Sequence, residues 1–319
     1  MEESKSFNRS RRDFLRQSLL LGTAATLGSL PFSAIAAAKT KRLTILHTND
    51  VHSHIEPFPL DGSRNQGLGG VARRSALINR IRQEEESVLL LDSGDMFQGT
   101  PYFNMFGGKL ELELMSKLGY EAGTFGNHEF DNGLEGLAKH LDKAHFPFLT
   151  ANYDFTGTVL ENRTKAYHVI RKNGLRIGLT GVGIDVKGLV DPNNHKGMAY
   201  LDPIPVVNRI AKMLKEDKKC DLVICLSHLG YKYEDNQVDD LKLAAACRHV
   251  DIILGGHTHT FLHEPTRVRN LDGKEVWVNQ MGFAGIRLGR LDVVFNQATG
   301  AKNIMAQHYT IGMNENRLV

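Results

Sequence analysis

Five short stretches set acids, amides and imidazoles at places where chemistry could be done: Asp50-Val51-His52, Gly94-Asp95, Gly126-Asn127-His128, Ser227-His228 and Gly255-Gly256-His257-Thr258-His259. The third opens the segment GNHEFDNG, which packs an amide, an imidazole and two carboxylates into Asn127 to Asp131. A lone Asp or His after an apolar run is usually a turn former or a helix cap. Five such endings in one chain point instead to a shared site. The side chains on offer are imidazole, carboxylate and amide, with no thiolate. That set suits Zn, Mn or Fe rather than an iron–sulfur centre or a structural zinc knot. Read as extended segments, Asp-x-His and His-x-His put two ligands on one side, because strand side chains repeat with period two. Glycine beside three of the candidate ligands lets the backbone turn tightly and approach an ion.

The elements that must carry these residues alternate along the chain. Strands are expected in RLTILHTND, VLLLDSGD, EAGTFGNHE, PFLTANYD, DLVICLSHLG and DIILGGHTH, and helices in GGVARRSALINRIRQEE, KLELELMSKLGY, GLEGLAKHLDKA, IPVVNRIAKMLKED and VDDLKLAAAC. Asn173-Gly174 marks a hairpin inside YHVIRKNGLRIGLTGVGI, and Asp272-Gly273 marks another in a β-rich tail. Strands alternating with helices, plus hairpins, give a mixed α/β domain. In such sheets ligands bind outside the carboxyl ends of the strands, which is where the five polar stretches fall.

The first 38 residues read as a targeting segment. Ser10-Arg11-Arg12-Asp13-Phe14-Leu15-Arg16 precedes a moderately apolar run that contains Pro31 and ends in Ala34-Ile35-Ala36-Ala37-Ala38. Paired arginines ahead of a short apolar core and small residues form the pattern of a twin-arginine export signal, cleaved after Ala36 or Ala38. Residues 39–319 are then one periplasmic catalytic domain with no stable membrane span. Removing the segment takes the formal charge from +3 to +1, so nothing in the balance argues for a nucleic-acid or membrane partner. The chain has three cysteines. Cys220 and Cys225 sit at opposite ends of one strand, too far apart to pair, and with Cys247 they read as buried free thiols.

The motifs D-x-H, G-D-x-x-Q-G, G-N-H-E-F-D, S-H and G-H-T-H, in this order, resemble those of the calcineurin-like metallophosphoesterases. LTILHTNDVHSHIEPF and GNHEFDNG narrow the likeness to the catalytic domain of exported 5′-nucleotidases and UDP-sugar hydrolases. The resemblance covers nearly all of residues 39–319. It implies a four-layer sandwich of two mixed β-sheets flanked by helices, and two divalent ions (Mn, Zn, Fe or Co). By the same resemblance, one ion belongs to Asp50, His52, Asp95 and His259. The other belongs to Asp95, Asn127, His228 and His257, with Asp95 bridging. His128 is implied as the catalytic histidine at the leaving group, steadied by Asp131, and Asn127 and His128 as substrate contacts. The implied reaction is hydrolysis of nucleoside 5′-monophosphates by in-line attack of a hydroxide bridging the ions. A UDP-sugar or cyclic-nucleotide phosphodiesterase and a sulfur-ester hydrolase are alternatives on the same site, and a non-catalytic metal-binding protein is an alternative of another class. At the His259 position the exported nucleotidases often carry an amide. Relatives of this kind also continue into a nucleotide-specificity domain; here either a separate polypeptide supplies it in trans, or the enzyme acts on small or loosely recognised phosphoesters. Glu129 has no role from the sequence. His47 is expected to be packed, His54 to lie outside the ligand set, Gln98 to serve loop geometry, Arg73 and Arg74 to form a solvated helix face, and Phe261, Trp277 and Phe283 to pack in sheet or loop.

Overall fold

The computed structural model describes residues 40–312; the expected export signal lies outside them. Two sheets carry most of the chain. The first has the order β13 (Lys302–Thr310), β12 (Arg287–Asn296), β1 (Thr40–Thr48), β2 (Val88–Asp92), β3 (Ala122–Gly123). The second has the order β10 (Thr266–Arg269), β11 (Glu275–Asn279), β9 (Ile252–Leu254), β8 (Leu222–His228), β6 (Leu175–Gly183), β5 (Tyr167–Lys172). A minor pair joins β4 (Tyr153–Asp154) to β7 (Ala199–Tyr200).

The central strands read as unbroken apolar runs because both of their faces are covered. Leu43, Ile45, Leu89 and Leu91 from the first sheet pack against Leu179, Ile224, Leu226 and Ile252 from the second. The alternate residues face outward. Leu46, Val88 and Leu90 meet helices α1 (Val71–Glu84) and α3 (Lys109–Leu118) through Leu77, Ile78, Ile81, Leu112 and Met115. Val223 and Cys225 meet α5 (Pro203–Glu216) and α6 (Asp240–Ala246) through Val207, Ile210, Leu214 and Leu243. The order helix, sheet, sheet, helix is the expected four-layer sandwich. Each fully buried Leu or Ile contributes on the order of 1.5–3 kcal/mol, so the three apolar clusters hold the layers in one arrangement. Helix α5 starts at Pro203, with the Asp202 carboxylate accepting from Ile204 N (3.0 Å).

Strand registers decide where the site falls. β1, β2 and β3 are parallel, with Thr48 opposite Asp92 and Asp92 opposite Gly123. β6, β8 and β9 are parallel, with Gly183 opposite His228 and Leu226 opposite Leu254. Ser93 joins the two sheets at this end, its Oγ donating to Leu254 O (2.7 Å). One expectation fails here, and one element is new. PFLTANYD is a strand only at Tyr153–Asp154; Phe148 and Leu149 make single bridges to Gly123 and Lys165. Helix α2 (Pro101–Phe106) was not anticipated from the sequence. The remaining helix, α4 (Gly133–His140), lies where GLEGLAKH predicts it.

Candidate metal centre

Asp50 and His52 follow β1, Asp95 follows β2, Asn127 and His128 follow β3, His228 ends β8, and His257 and His259 follow β9. All of the sequence-predicted ligands therefore converge at one end of the sandwich. The expected extended geometry is not what brings them together. Asp50, His52, Asp95, His257 and His259 all have positive φ, between 50° and 72°. Left-handed backbone costs a non-glycine residue of order 1–3 kcal/mol and clusters at functional sites. Here it turns each loop back on itself within one or two residues, so that consecutive strand ends meet.

Ligating atoms lie within 4.8 Å of one another in the groups Asp50–His52–His259, His52–Asp95–His128 and Asp95–His228–His257. His52 Nε2 is 2.9 Å from His259 Nε2. Asp50 Oδ1 lies 3.4 Å from His259 Nε2 and 3.9 Å from His52 Nε2. Asp95 Oδ2 stands between the groups, 3.0 Å from His228 Nε2 and 3.9 Å from His52 Nε2. The tautomers are set by the backbone: His52 Nδ1 meets Phe97 O (3.1 Å) and His228 Nδ1 meets Ser93 O (2.6 Å). Each Nε2 is thereby turned inward. Burial opposes charge on His228, but Asp95 and then Asp50 outweigh it and raise its pKa to about 10, so His228 is the charged partner of Asp95. Burial, the leading influence, lowers the His52 pKa and takes His257 down to about 4, so both rings are neutral, as ligation requires. Burial alone would raise Asp95, but His228 first, then His52 and His128, hold it below the usual carboxylate range.

The arrangement fits divalent cations. Ligand atoms about 2.0–2.1 Å from one ion lie roughly 3 Å apart, close to the His52–His259 separation. Nδ1 of His257 and Oδ1 of Asn127 are buried without hydrogen-bond partners. Asp50 and Asp95 are buried carboxylates whose ion pairs, among the described residues, involve only histidines. Buried negative charge of this kind calls for a cation.

At the rim, His128 Nδ1 is 2.7 Å from Asp131 Oδ2. Burial opposes the charged ring, but the Asp131 hydrogen bond and the nearby Asp95 outweigh it and raise the His128 pKa above its usual value. His128 N also donates to Asp95 Oδ1 (2.9 Å).

The chain matches the calcineurin-like phosphoesterase family over residues 43–261. It belongs to that family. It is 35% identical over 281 residues to snake venom 5′-nucleotidase of Gloydius brevicauda, covering 82% of this chain and 46% of that protein. It is 35% identical over 300 residues to rat 5′-nucleotidase, covering 87% and 50% respectively. Among solved structures it superposes on a 5′-nucleotidase precursor from Thermus thermophilus with a TM-score of 0.78 at 36% identity, covering 85% of this chain and 55% of that one. The chain thus spans about half the length of the curated relatives it matches.

Within this phosphoesterase site one residue gains a role that sequence reading did not supply. Glu129 Oε2 accepts from Gly126 N (2.6 Å) and Asp95 N (2.9 Å), and Oε1 from Met96 N (2.9 Å) and Phe97 N (3.2 Å). It ties the Asp95 loop to the Asn127 turn. Only its place in GNHEFDNG marked it.

The other expectations divide. His47 is fully buried and accepts from Asn279 (3.0 Å), and burial lowers it to about 3. His54 stacks on Phe58 and belongs to none of the three ligand groups. Gln98 has φ 66° in the loop whose Gly99 packs on the His52 backbone. Cys220, Cys225 and Cys247 are buried free thiols. Arg74 departs from the expected solvated face: it is buried and lines a small cavity with Asp92, Glu111 and Tyr120, while Arg73 reaches Gly67 O (2.6 Å). The cause is the close approach of α1 to the Gly285 loop, which covers the Arg74 side of the helix. Phe283 does more than pack in a loop, since it stacks on His259 with ring centroids 5.2 Å apart.

Proposed function

We propose that the chain is an exported, periplasmic phosphohydrolase with two divalent ions (Mn, Zn, Fe or Co), acting on nucleoside 5′-monophosphates. The observation that carries this reading is the facing pair His52 Nε2 and His259 Nε2 above Asp50, set beside Asp95, His228 and His257, with a His128–Asp131 dyad at the rim. One ion falls to Asp50, His52, Asp95 and His259, the other to Asp95, Asn127, His228 and His257. When bound, the ions polarise the phosphoryl oxygens and make water acidic near neutral pH.

The remaining work belongs to side chains. His128 carries the proton that the leaving oxygen needs when its bond to phosphorus breaks, and gives it up from Nε2. Asp131 fixes the ring through Nδ1 and favours its cationic form. The Asn127 amide and the His128 ring meet the phosphoryl group. A dyad outside the ligand set speaks for turnover rather than metal storage. A polypeptide acting in trans is the proposed source of further nucleotide-recognition residues. The twin-arginine route is supported by residues 10–16 alone, and replacing Arg11 and Arg12 with lysines is expected to block export.

The reading is tested by His128→Ala. Metal content should persist while AMP hydrolysis falls about 10²–10⁴-fold. Full activity in the variant would remove His128 from the reaction.

A further inference from the structure

His52 and His228 are oriented through their second ring nitrogen, each Nδ1 meeting a backbone carbonyl. His259 has no such hold. Its Nε2 faces His52 Nε2 and Asp50 Oδ1, and among the described residues no protein group meets its Nδ1. Its side chain is also the most open of the three, 41% exposed against 9% for His52 and 0% for His228. A metal-ligating imidazole needs a fixed ring orientation, which a partner on the other nitrogen normally supplies. His259 has an aromatic ring instead. Phe283 lies flat on it, with centroids 5.2 Å apart and planes 14° from parallel, which is the geometry of a stacked aromatic pair.

Phe283 is itself firmly placed. It stands between Gly282 (φ 75°) and Ala284 (φ 55°), whose left-handed backbone turns the chain tightly on either side of it. A Cβ at Gly282 would collide with the Phe261 ring, so this turn has no room for another residue. Its backbone is tied to the loops that carry Asp50 and His259. Met281 N donates to Asn49 Oδ1 (2.9 Å), Ala284 N to Asp50 O (2.7 Å) and Gly282 N to Thr260 O (2.9 Å). Gln280, fully buried, donates from Nε2 to Gly256 O (2.5 Å) and accepts from Thr260 N. Two further rings brace the side chain, Phe58 and Phe261 meeting Phe283 at steep angles with centroids 6.5 and 5.8 Å away. The Phe283 ring is therefore positioned by the same loops as the ligands, and it passes that position on to His259.

We propose that Phe283 is a positioning residue of the metal centre: its ring face does for His259 what backbone carbonyls do for His52 and His228, and the chain's grip on the ion assigned to Asp50, His52, Asp95 and His259 depends on that stack. The proposal rests on the two-ion reading and adds to it a residue outside the ligand set. Its consequence is asymmetric. Loss of the stack frees one imidazole of one ion. On the side of the other ion, His228 keeps the Ser93 carbonyl and its ring contact with His257, at a centroid distance of 5.3 Å.

The test is calorimetric titration of Mn2+ into the chelator-stripped chain, which reads binding without turnover. Phe283→Leu keeps an apolar side chain and removes the ring. It should weaken one of two equivalents about tenfold and leave the other as in the parent. Phe283→Tyr, which keeps the ring, should hold both. In a chain that already carries His259→Ala, Phe283→Leu should cost nothing further, because the two positions act through one contact. Equal weakening of both equivalents, no weakening of either, or a full further loss in the His259→Ala background overturns the proposal while leaving the two-ion reading in place. A parent chain that takes up fewer than two equivalents overturns the two-ion reading, and the proposal with it.

Discussion

Glu129 carries no chemistry of its own, yet four backbone N–H groups from two separate loops end on its carboxylate. An amide in its place offers one acceptor oxygen and turns an NH2 group toward N–H donors. Glu129→Gln should therefore lower unfolding free energy by about 1–3 kcal/mol and reduce metal retention, because Asp95 and Asn127 both lean on the clamped loops. Denaturant titration and metal analysis on the same sample check this; parental stability with full metal content would contradict it. The candidate ligands were legible in the sequence because their signal is local: a polar residue type, an apolar run before it, a glycine beside it. Glu129 was not, because its main partners, Asp95, Met96 and Phe97, lie more than 30 positions upstream and offer only backbone groups, which no residue type announces. Arg74 was misjudged for a related reason. Helical spacing shows which face turns inward but not that a distant loop covers the other side.

At the scale of elements, strand ends and tight turns do what the sequence assigned to period-two alternation. The strands that carry ligands were found because parallel strands buried on both faces are apolar throughout. The loop geometry was not, since left-handed backbone at Asp50 or His257 is imposed by the packing of neighbouring strand ends rather than by the residue itself. Gly126 shows how little room those ends leave. A Cβ there would collide with the Asp95 carboxylate and the His228 ring. Gly126→Ala should leave the far-ultraviolet circular dichroism of the sandwich unchanged and cut metal affinity at least about tenfold, a loss of ~1.4 kcal/mol. Undiminished metal binding would mean that the β3 turn and the Asp95 loop approach each other less closely than the structure has them.

Over the whole molecule, the centre exists only because two sheets are stacked with their parallel carboxyl ends on one side, stitched there by Ser93 and filled between by Leu and Ile side chains. Alternation of strands and helices gave the class of fold. The partition of strands between two sheets came from resemblance rather than pattern, because β1 pairs with β12, some 250 positions away. Stability of the sandwich should also carry an acid signature. Burial first, then Arg287 and His263, lower His308 from 6.5 to about 4. Between those values the unfolded chain binds a proton that the folded chain refuses, so this residue makes stability rise with pH across the window and fall as pH drops from 6.5 toward 4. His308→Leu, at fixed metal loading, should flatten that slope in thermal unfolding; an unchanged slope would contradict a neutral buried ring.

The most direct measurement is phosphate release from AMP by chelator-stripped protein as Mn2+ is added back stepwise. The account predicts no release without metal and activity that saturates near about two equivalents per chain. Release that is insensitive to chelation, or absent at every loading while metal binds, would contradict it.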